Sequence, residues 1–267
     1  MNLDPRRSLA VVWLGLAVGL TILAPRLSSH SVGQPVGAPL APASSSMPFG
    51  GDELGRDLWT RLLYGGRASL GASILAAGLT VAVGTLVGLL AALGGRWIHG
   101  PIVLLVNAAL AIPGLLLALL LVTGLGPGFP AIVLAVGLGG VAGFARLALQ
   151  AFLQGQTASY IAAASALGAG RMRLALAHLI PNARPLLVPL AATYYAWSLL
   201  GTTTLTVLGL GGDPTDPEWG SMLNAGRLYL QEAPHLVLLP GLAIALTILS
   251  VHSLAGAQAR SIPGRSV

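Results

Sequence analysis

Apolar residues gather in six runs, at 9–24, 68–93, 102–122, 131–153, 186–210 and 236–254, separated by stretches rich in Arg, Gly, Pro and Ser. A helix rises 1.5 Å per residue, so about 20 apolar residues cross a hydrocarbon core of about 30 Å. The five later runs are long enough to span. The first, ending at Pro25, is slightly short and spans if Ser8 and the flanks help. Its charged start, apolar middle and the later Ala41-Pro42-Ala43 also fit a cleavable signal peptide. The spanning reading is preferred, because the embedded remainder needs a first span to set its orientation. The expectation is an all-α membrane protein with six transmembrane helices.

The polar stretches differ from one another. Residues 28–51 are rich in Ser, Pro and Gly without a period, which predicts an extended loop. Residues 52–64 are amphipathic: Leu54, Leu58, Trp59 and Leu62 share a face, Asp57 and Arg61 stand at i and i+4, and Gly65-Gly66 follows. That pattern predicts an interfacial helix before the second span, broken by the glycines. Residues 156–185 read as two short helices, 160–167 and 171–180, around a turn at Gly168-Ala169-Gly170, with Pro181 starting a new element. Ala162, Ala163, Ala164 and Gly168 let another surface approach the backbone. Ile161 and Leu167 add apolar contact, Tyr160 opens the first helix, and Arg171 and Arg173 open the second. This is either a docking hairpin or an ordinary helical loop covering the membrane surface. The chain accordingly divides into 1–51, a first span with its loop, and 52–267, a core of five spans that contains the hairpin.

Composition fixes the setting. Of 267 residues, 55% are hydrophobic and 8% charged, with mean hydropathy +0.81, as in a polytopic membrane protein. Cysteine is absent, which removes disulfides and thiolate metal sites. His30, His99, His178, His235 and His252 share no helical face, so neither a metal site nor a cofactor is expected. All 14 basic residues are Arg, giving a net charge of +6. They sit at the ends of apolar runs, a pattern of membrane topology that argues against a nucleic-acid face. With the N-terminus inside, Arg6, Arg7, Arg96, Arg146, Arg171, Arg173, Arg184, Arg260 and Arg265 are cytoplasmic. Arg26, Arg56, Arg61, Arg67 and Arg227 are then outside, and the excess of inner arginines favours N-in and C-in. The acids form an outer face at 52, 53, 57, 213, 216, 218 and 232, with Asp4 alone inside.

No apolar run contains Asp or Glu, which argues against a proton- or sodium-coupled carrier. Without lysine there is no phosphate-loop ATPase in this chain, so energy for uphill transport has to come from a partner. Tyr194, Tyr195, Ser198, Thr202 and Thr206 recur at helical intervals. They either line a pore or bond carbonyls one turn back. Asn107 and Pro113 predict a kink in the third span. The segment 212–235, with Asp213, Asp216, Glu218, Trp219, Met222, Leu223 and Tyr229, gates the outer mouth, meets a binding protein, or only anchors the fifth and sixth spans at the interface through Trp219 and Tyr229.

These segments carry a resemblance. YIAAASALGAGRMRLALAHLIPN, from Tyr160, resembles the coupling loop of ABC importer permeases. GGDELGRDLWTRLLYGGRASL, from Gly50, and LTVLGLGGDPTDPEWGSMLNAGRLYL, from Leu205, resemble the second permease subunit of the dipeptide, oligopeptide and nickel importers. The similarity runs over about 48–263, with the three motifs in the family's order. It implies a multi-pass inner-membrane permease, a second permease subunit sharing the pore, a cytoplasmic ATPase gripping the hairpin, and an extracytoplasmic binding protein. Short peptides or nickel complexes would be the substrate. Tyr160, Ala162, Ala163, Ala164, Leu167, Gly168, Arg171 and Arg173 would form the coupling surface, and Tyr195, Ser198, Thr202 and Thr206 the path. The chain departs from the pattern where polarity is usual: Ala162 for Glu and Ser165 for Arg in the loop, Leu104 and Asn107 for an Arg and Asp pair, Thr202 for Glu, and Gly51 within the opening Gly-Thr-Asp. An ion-coupled carrier and a non-transporting membrane scaffold are the alternatives.

Overall fold

The computed structural model describes residues 5–213 and 215–260. The charges counted at Asp4 and Arg265 lie outside them. In chain order the helices are α1 (Pro5–Ile22), α2 (Ala24–Leu27), α3 (Leu58–Leu93), α4 (Arg96–Leu110), α5 (Gly114–Leu125), α6 (Phe129–Gln156), α7 (Ser159–Ala166), α8 (Arg171–Leu174), α9 (Ile180–Val207), α10 (Trp219–Gly226) and α11 (His235–Arg260). Among the described residues, extended pairing is limited to two isolated bridges, Pro35 with Arg56 and Gly51 with Asp57.

Four helical stretches are long and apolar enough to cross a membrane: Leu58–Leu93, Phe129–Gln156, Arg171–Val207 and His235–Gly256. A fifth arises if α4 and α5 count as one span, but they meet at 90°. The bend falls at 111–113, not at Asn107, which lies inside α4. Pro113 caps α5 in an extended conformation and cannot donate to the α4 ladder, and the residue before a proline is pushed out of the helical region. The apolar part of α1, Arg7–Ile22, is shorter than these spans. It packs along α11, where the Trp13 Nε1–H donates to Thr247 Oγ1 at 3.2 Å.

The principal pair is α3 against α6, brought together by glycines. A Cβ on Gly88 would lie 2.9 Å from the Ala145 carbonyl and 2.9 Å from Ala148 Cβ, and one on Gly84 2.9 Å from Phe144 Cβ. Small residues four apart let helix backbones approach closely in a membrane. Thr80 Oγ1 donates to the Gly137 carbonyl at 2.7 Å across the same seam.

Two sequence expectations are corrected. The segment 52–64 is not one interfacial helix. Gly55 sits at φ +76°, which leaves the helical path, and the Asp57 carboxylate caps α3 by accepting from Trp59 N and Thr60 N. Helix α3 then runs unbroken through Gly65 and Gly66, where the missing side chains admit Thr21, Trp219 and Met222. Likewise, Pro181 does not start a separate element, and Arg171–Val207 is one 37-residue helix. A π turn at Ala175–Leu179, closed by Ile180 N–H to the Ala175 carbonyl, precedes the proline. The wider turn accommodates a residue without a donor. The Asn182 side chain donates to the His178 carbonyl at 2.8 Å.

Candidate functional site

At one end of the bundle α7 and α8 form the hairpin. Ile161 is buried against Phe152, Leu179 and Ala183 and fastens α7 beneath α6 and α9. Gly168 at φ +84° ends α7, accepted at little cost only by glycine, and its amide and that of Ala169 bond back to Ser165 and Ala164. Tyr160, Ala162, Ala163, Leu167, Gly168, Arg171 and Arg173 are exposed, Leu167 at 89%, and Ala164 is half-buried. The residues read from sequence as a docking surface therefore share one solvent-facing hairpin, and Ile161 points inward instead. The Gln156 side chain donates to the Ala92 carbonyl at 2.9 Å, tying the start of the hairpin to the end of α3.

At the opposite end residues 28–57 fold into a cap held by a buried ionic latch. Asp52 accepts from Arg56 Nε at 2.6 Å and is ion-paired with Arg61, whose Nε lies 3.1 Å away, and Arg56 Nη2 donates to Glu53 at 2.7 Å. Arg61 also donates to the Thr215 carbonyl at 3.0 Å, joining the cap to the segment before α10. Asp57 and Arg61 do not pair through their side chains, because Asp57 is committed to the helix cap and Arg61 to Asp52. Buried charges of this kind stand only when each is paired and hydrogen-bonded.

Below the cap is a cavity of about 650 Å³ between α3, α6, α9 and α10. Thr202 and Thr206 line it from α9, Tyr64 and Arg67 from α3, and Glu218, Ser221 and Asn224 from α10. The predicted stripe divides here. Thr202 and Thr206 line the cavity, and their hydroxyls bond the carbonyls of Leu199 and Thr203, at 3.1 and 2.9 Å. Ser198 is fully buried, and its hydroxyl has no partner among the described residues. Tyr195 packs against the core around Leu70 and Leu199. Neither Tyr195 nor Ser198 lines this cavity.

Glu218 organises the cavity floor. Its carboxylate accepts from Ser69 Oγ at 2.5 Å, Gly220 N at 2.8 Å and Ser221 N at 3.1 Å, so it both caps α10 and clasps α3. Burial pushes its carboxyl above the ordinary glutamate range, against hydrogen bonds from Ser69, Thr206, Ser221 and Gly220 that pull it down. Asp213 at the rim is instead held low by hydrogen bonds from Thr215. Trp219 is buried, with its Nε1–H donating to the Leu62 carbonyl at 3.0 Å, which anchors α10 inside the bundle and not at its surface. Sequence pattern assigns Glu218 to the acidic outer face and to the segment 212–235, without a role of its own. Its place directly after Pro217, opening an amphipathic piece, was the available sign of a helix cap.

Comparison with known proteins places this geometry. Residues 84–263 match the family model described as binding-protein-dependent transport system inner membrane component. The chain is 36% identical over 211 residues to the glutathione transport system permease protein GsiD of Pectobacterium atrosepticum, covering 79% of this chain and 70% of that protein. It is 33% identical over 252 residues to the dipeptide transport system permease protein DppC of Alkalihalophilus pseudofirmus, covering 92% and 83%. Among solved structures, the MetNI methionine ABC transporter in inward-facing conformations aligns with TM-score 0.64 at 19% identity, over 76% of this chain and 96% of that one, which speaks to the fold. Hairpin, glycine-seamed bundle and family match converge: the chain belongs to the binding-protein-dependent transport system inner membrane components, as a multi-pass inner-membrane permease subunit of an ABC importer.

Proposed function

We propose that this chain forms half of the pore of an ATP-driven importer of short peptides. It has six spans with both termini inside, and it works with a second permease, ATPase subunits that carry out all hydrolysis, and an extracytoplasmic binding protein. The peptide reading rests on the dipeptide and glutathione permeases it resembles. In this arrangement residues 52–267 are the permease core, the hairpin faces the cytoplasm, and the cavity under the cap faces outward.

The observation that carries the reading is the continuity of Arg171–Val207. One helix of about 55 Å, at 1.5 Å per residue, begins in the exposed hairpin and ends with Thr202 and Thr206 in the cavity wall. A displacement of the hairpin by a closing ATPase dimer is thereby delivered to the cavity as rotation of α9 against α3 and α6. The exposed alanines of α7 leave room for the ATPase surface, and Leu167 supplies the apolar contact. The test is co-purification. Ala163→Trp, placed on the exposed face, is expected to insert normally and to lose the ATPase subunits from the purified complex. Undiminished ATPase recovery with that variant refutes the docking assignment.

A further inference from the structure

The hairpin carries charge of one sign only. Between Asp57 and Asp213 the chain has no Asp or Glu, and the one acid assigned to the inner side is Asp4. Arg171 and Arg173 are exposed on α8, next to exposed Met172 and across the turn from exposed Ser165. The ion pairs among the described residues involve neither arginine. Water satisfies the two guanidiniums while the hairpin is uncovered. A partner that covers the hairpin strips that water away and has to replace it with acceptors.

Distance from the membrane sets these two arginines apart from the other inner charges. Asn182 and Arg184 are exposed on α9, and an exposed guanidinium keeps the hydrocarbon edge on the side of the apolar run that follows it. Leu174, Leu179 and Ile180 do not draw lipid further out, because they pack with Phe152, Ile161 and Ala183. Arg171 stands 13 residues before Arg184 on the same helix, about 20 Å at 1.5 Å per residue. At a helix tilt of about 40° the separation along the membrane normal is still about 15 Å. The headgroup layer is about 5–8 Å deep on each side. Arg184, like Arg96 against the Trp97 ring, is therefore a charge of the headgroup level, and Arg171 and Arg173 stand beyond it.

We infer that the hairpin docks on an acidic surface, where carboxylates of the ATPase subunit pair with Arg171 and Arg173. The inference rests on the docking reading and names the chemistry of the partner at that site. Two residues apart on a helix, the arginines point about 200° from one another, so they meet separate carboxylates and straddle the contact. A guanidinium meets a carboxylate through two parallel N–H···O bonds, which fix orientation as well as hold the pair. Leu167 supplies attraction without direction, and the two forks give a pushed hairpin a defined seat. A basic surface is ruled out by the same charges, because like charges brought together in an interface repel. Ala162, exposed on α7, sets no acid beside the arginines to offset them.

The experiment measures retention of the co-expressed ATPase subunits by the complete complex in nanodiscs of zwitterionic phosphatidylcholine, washed at rising ionic strength. Wild type is expected to release its ATPase as salt screens the pairs. Arg171→Gln and Arg173→Gln are each expected to lower retention about two- to fivefold, the weight of an ion pair bordering solvent. Replacing both by Glu lowers it further, and Ala162→Glu, which adds a carboxylate to the same face, lowers it as well. Arg184→Gln, at the headgroup level, keeps wild-type retention. All these side chains are exposed, so their replacement removes no internal contact of this chain. Retention that rises in Ala162→Glu, or that is unchanged when both arginines become Glu, overturns the inference, and loss of the ATPase in Ala163→Trp then leaves the docking reading standing. Retention that requires added anionic phosphatidylglycerol, with no difference among the variants in its absence, assigns the arginines to lipid and overturns the inference too. If Ala163→Trp also holds its ATPase undiminished, the docking reading fails and takes the inference with it.

Discussion

Replacing Gly88 by alanine adds one carbon where α3 presses on α6. That carbon would lie 2.9 Å from the Ala145 carbonyl oxygen, Ala148 Cβ and Leu149 N, and two of these are backbone atoms that cannot rotate away. Relief requires α3 and α6 to separate, and overpacking of this kind costs about 1–3 kcal/mol. Against it stands the helix preference of alanine over glycine, about 1 kcal/mol. Gly78, on the same helix, is exposed and has nothing within 4 Å of its Cβ position, so Gly78→Ala takes the propensity gain without the clash. The propensity term cancels in the comparison, and Gly88→Ala is expected to be less stable than Gly78→Ala by about 1–3 kcal/mol. Unfolding by SDS titration in mixed micelles, followed by tryptophan fluorescence, measures the difference. The Trp219 indole against Leu62 provides a buried reporter. Two variants of equal stability would show that the seam yields freely, and the close packing ascribed to Gly84 and Gly88 would be refuted. Because the same pair of helices walls the cavity under the cap, Gly88→Ala should also slow transport.

Glu218 predicts a pH dependence. Its folded-state value is raised above the ordinary 4.5, so the folded chain binds the proton more tightly than the unfolded one. The stability this contributes is fully present below 4.5 and is lost as pH rises through the raised folded value. Hydrogen exchange of α10, corrected for intrinsic rates, should show wild-type protection falling relative to Glu218→Gln as pH rises, and a pH-independent ratio contradicts this. Thr202→Leu fills the cavity wall and should cut uptake severalfold in the reconstituted complex, while Leu200→Val, on an exposed face, should do little. Equal uptake by the two means that the route runs elsewhere. Single cysteines at Ser45, Thr215 and Ser159, all exposed positions in a cysteine-free chain, report sidedness: an impermeant thiol reagent on intact cells should label the first two and spare the third. The reverse pattern inverts the topology.

The long spans and the hairpin were legible because each is written in local pattern: apolar length for α3, α6, α9 and α11, and small residues around Gly168 for α7 and α8. What local pattern could not supply was the long-range use of particular residues. Gly65-Gly66 has the composition of a break, yet both glycines lie in mid-helix because Trp219, about 150 positions away in the chain, fills the space they leave. Pro181 reads as a start signal until a π turn absorbs its missing donor. Asp57 and Arg61 have the spacing of a helical ion pair, and tertiary structure gives each a different partner. The polar stripe of α9 was half resolvable. Helical period places Ser198, Thr202 and Thr206 on related faces, but only the packing of α10 decides that Thr202 and Thr206 open to a cavity while Ser198 is sealed.

The central claim is that an exposed hairpin transmits ATP hydrolysis by separate subunits to a pore formed partly by this chain. The most direct measurement is uptake of labelled dialanine by proteoliposomes holding the full complex, with ATP supplied on the ATPase side, for wild type and Ala163→Trp. The account predicts uptake that requires ATP, ignores imposed proton and sodium gradients, and disappears in the hairpin variant. Uptake driven by an ion gradient without ATP, or undiminished in Ala163→Trp, would contradict it.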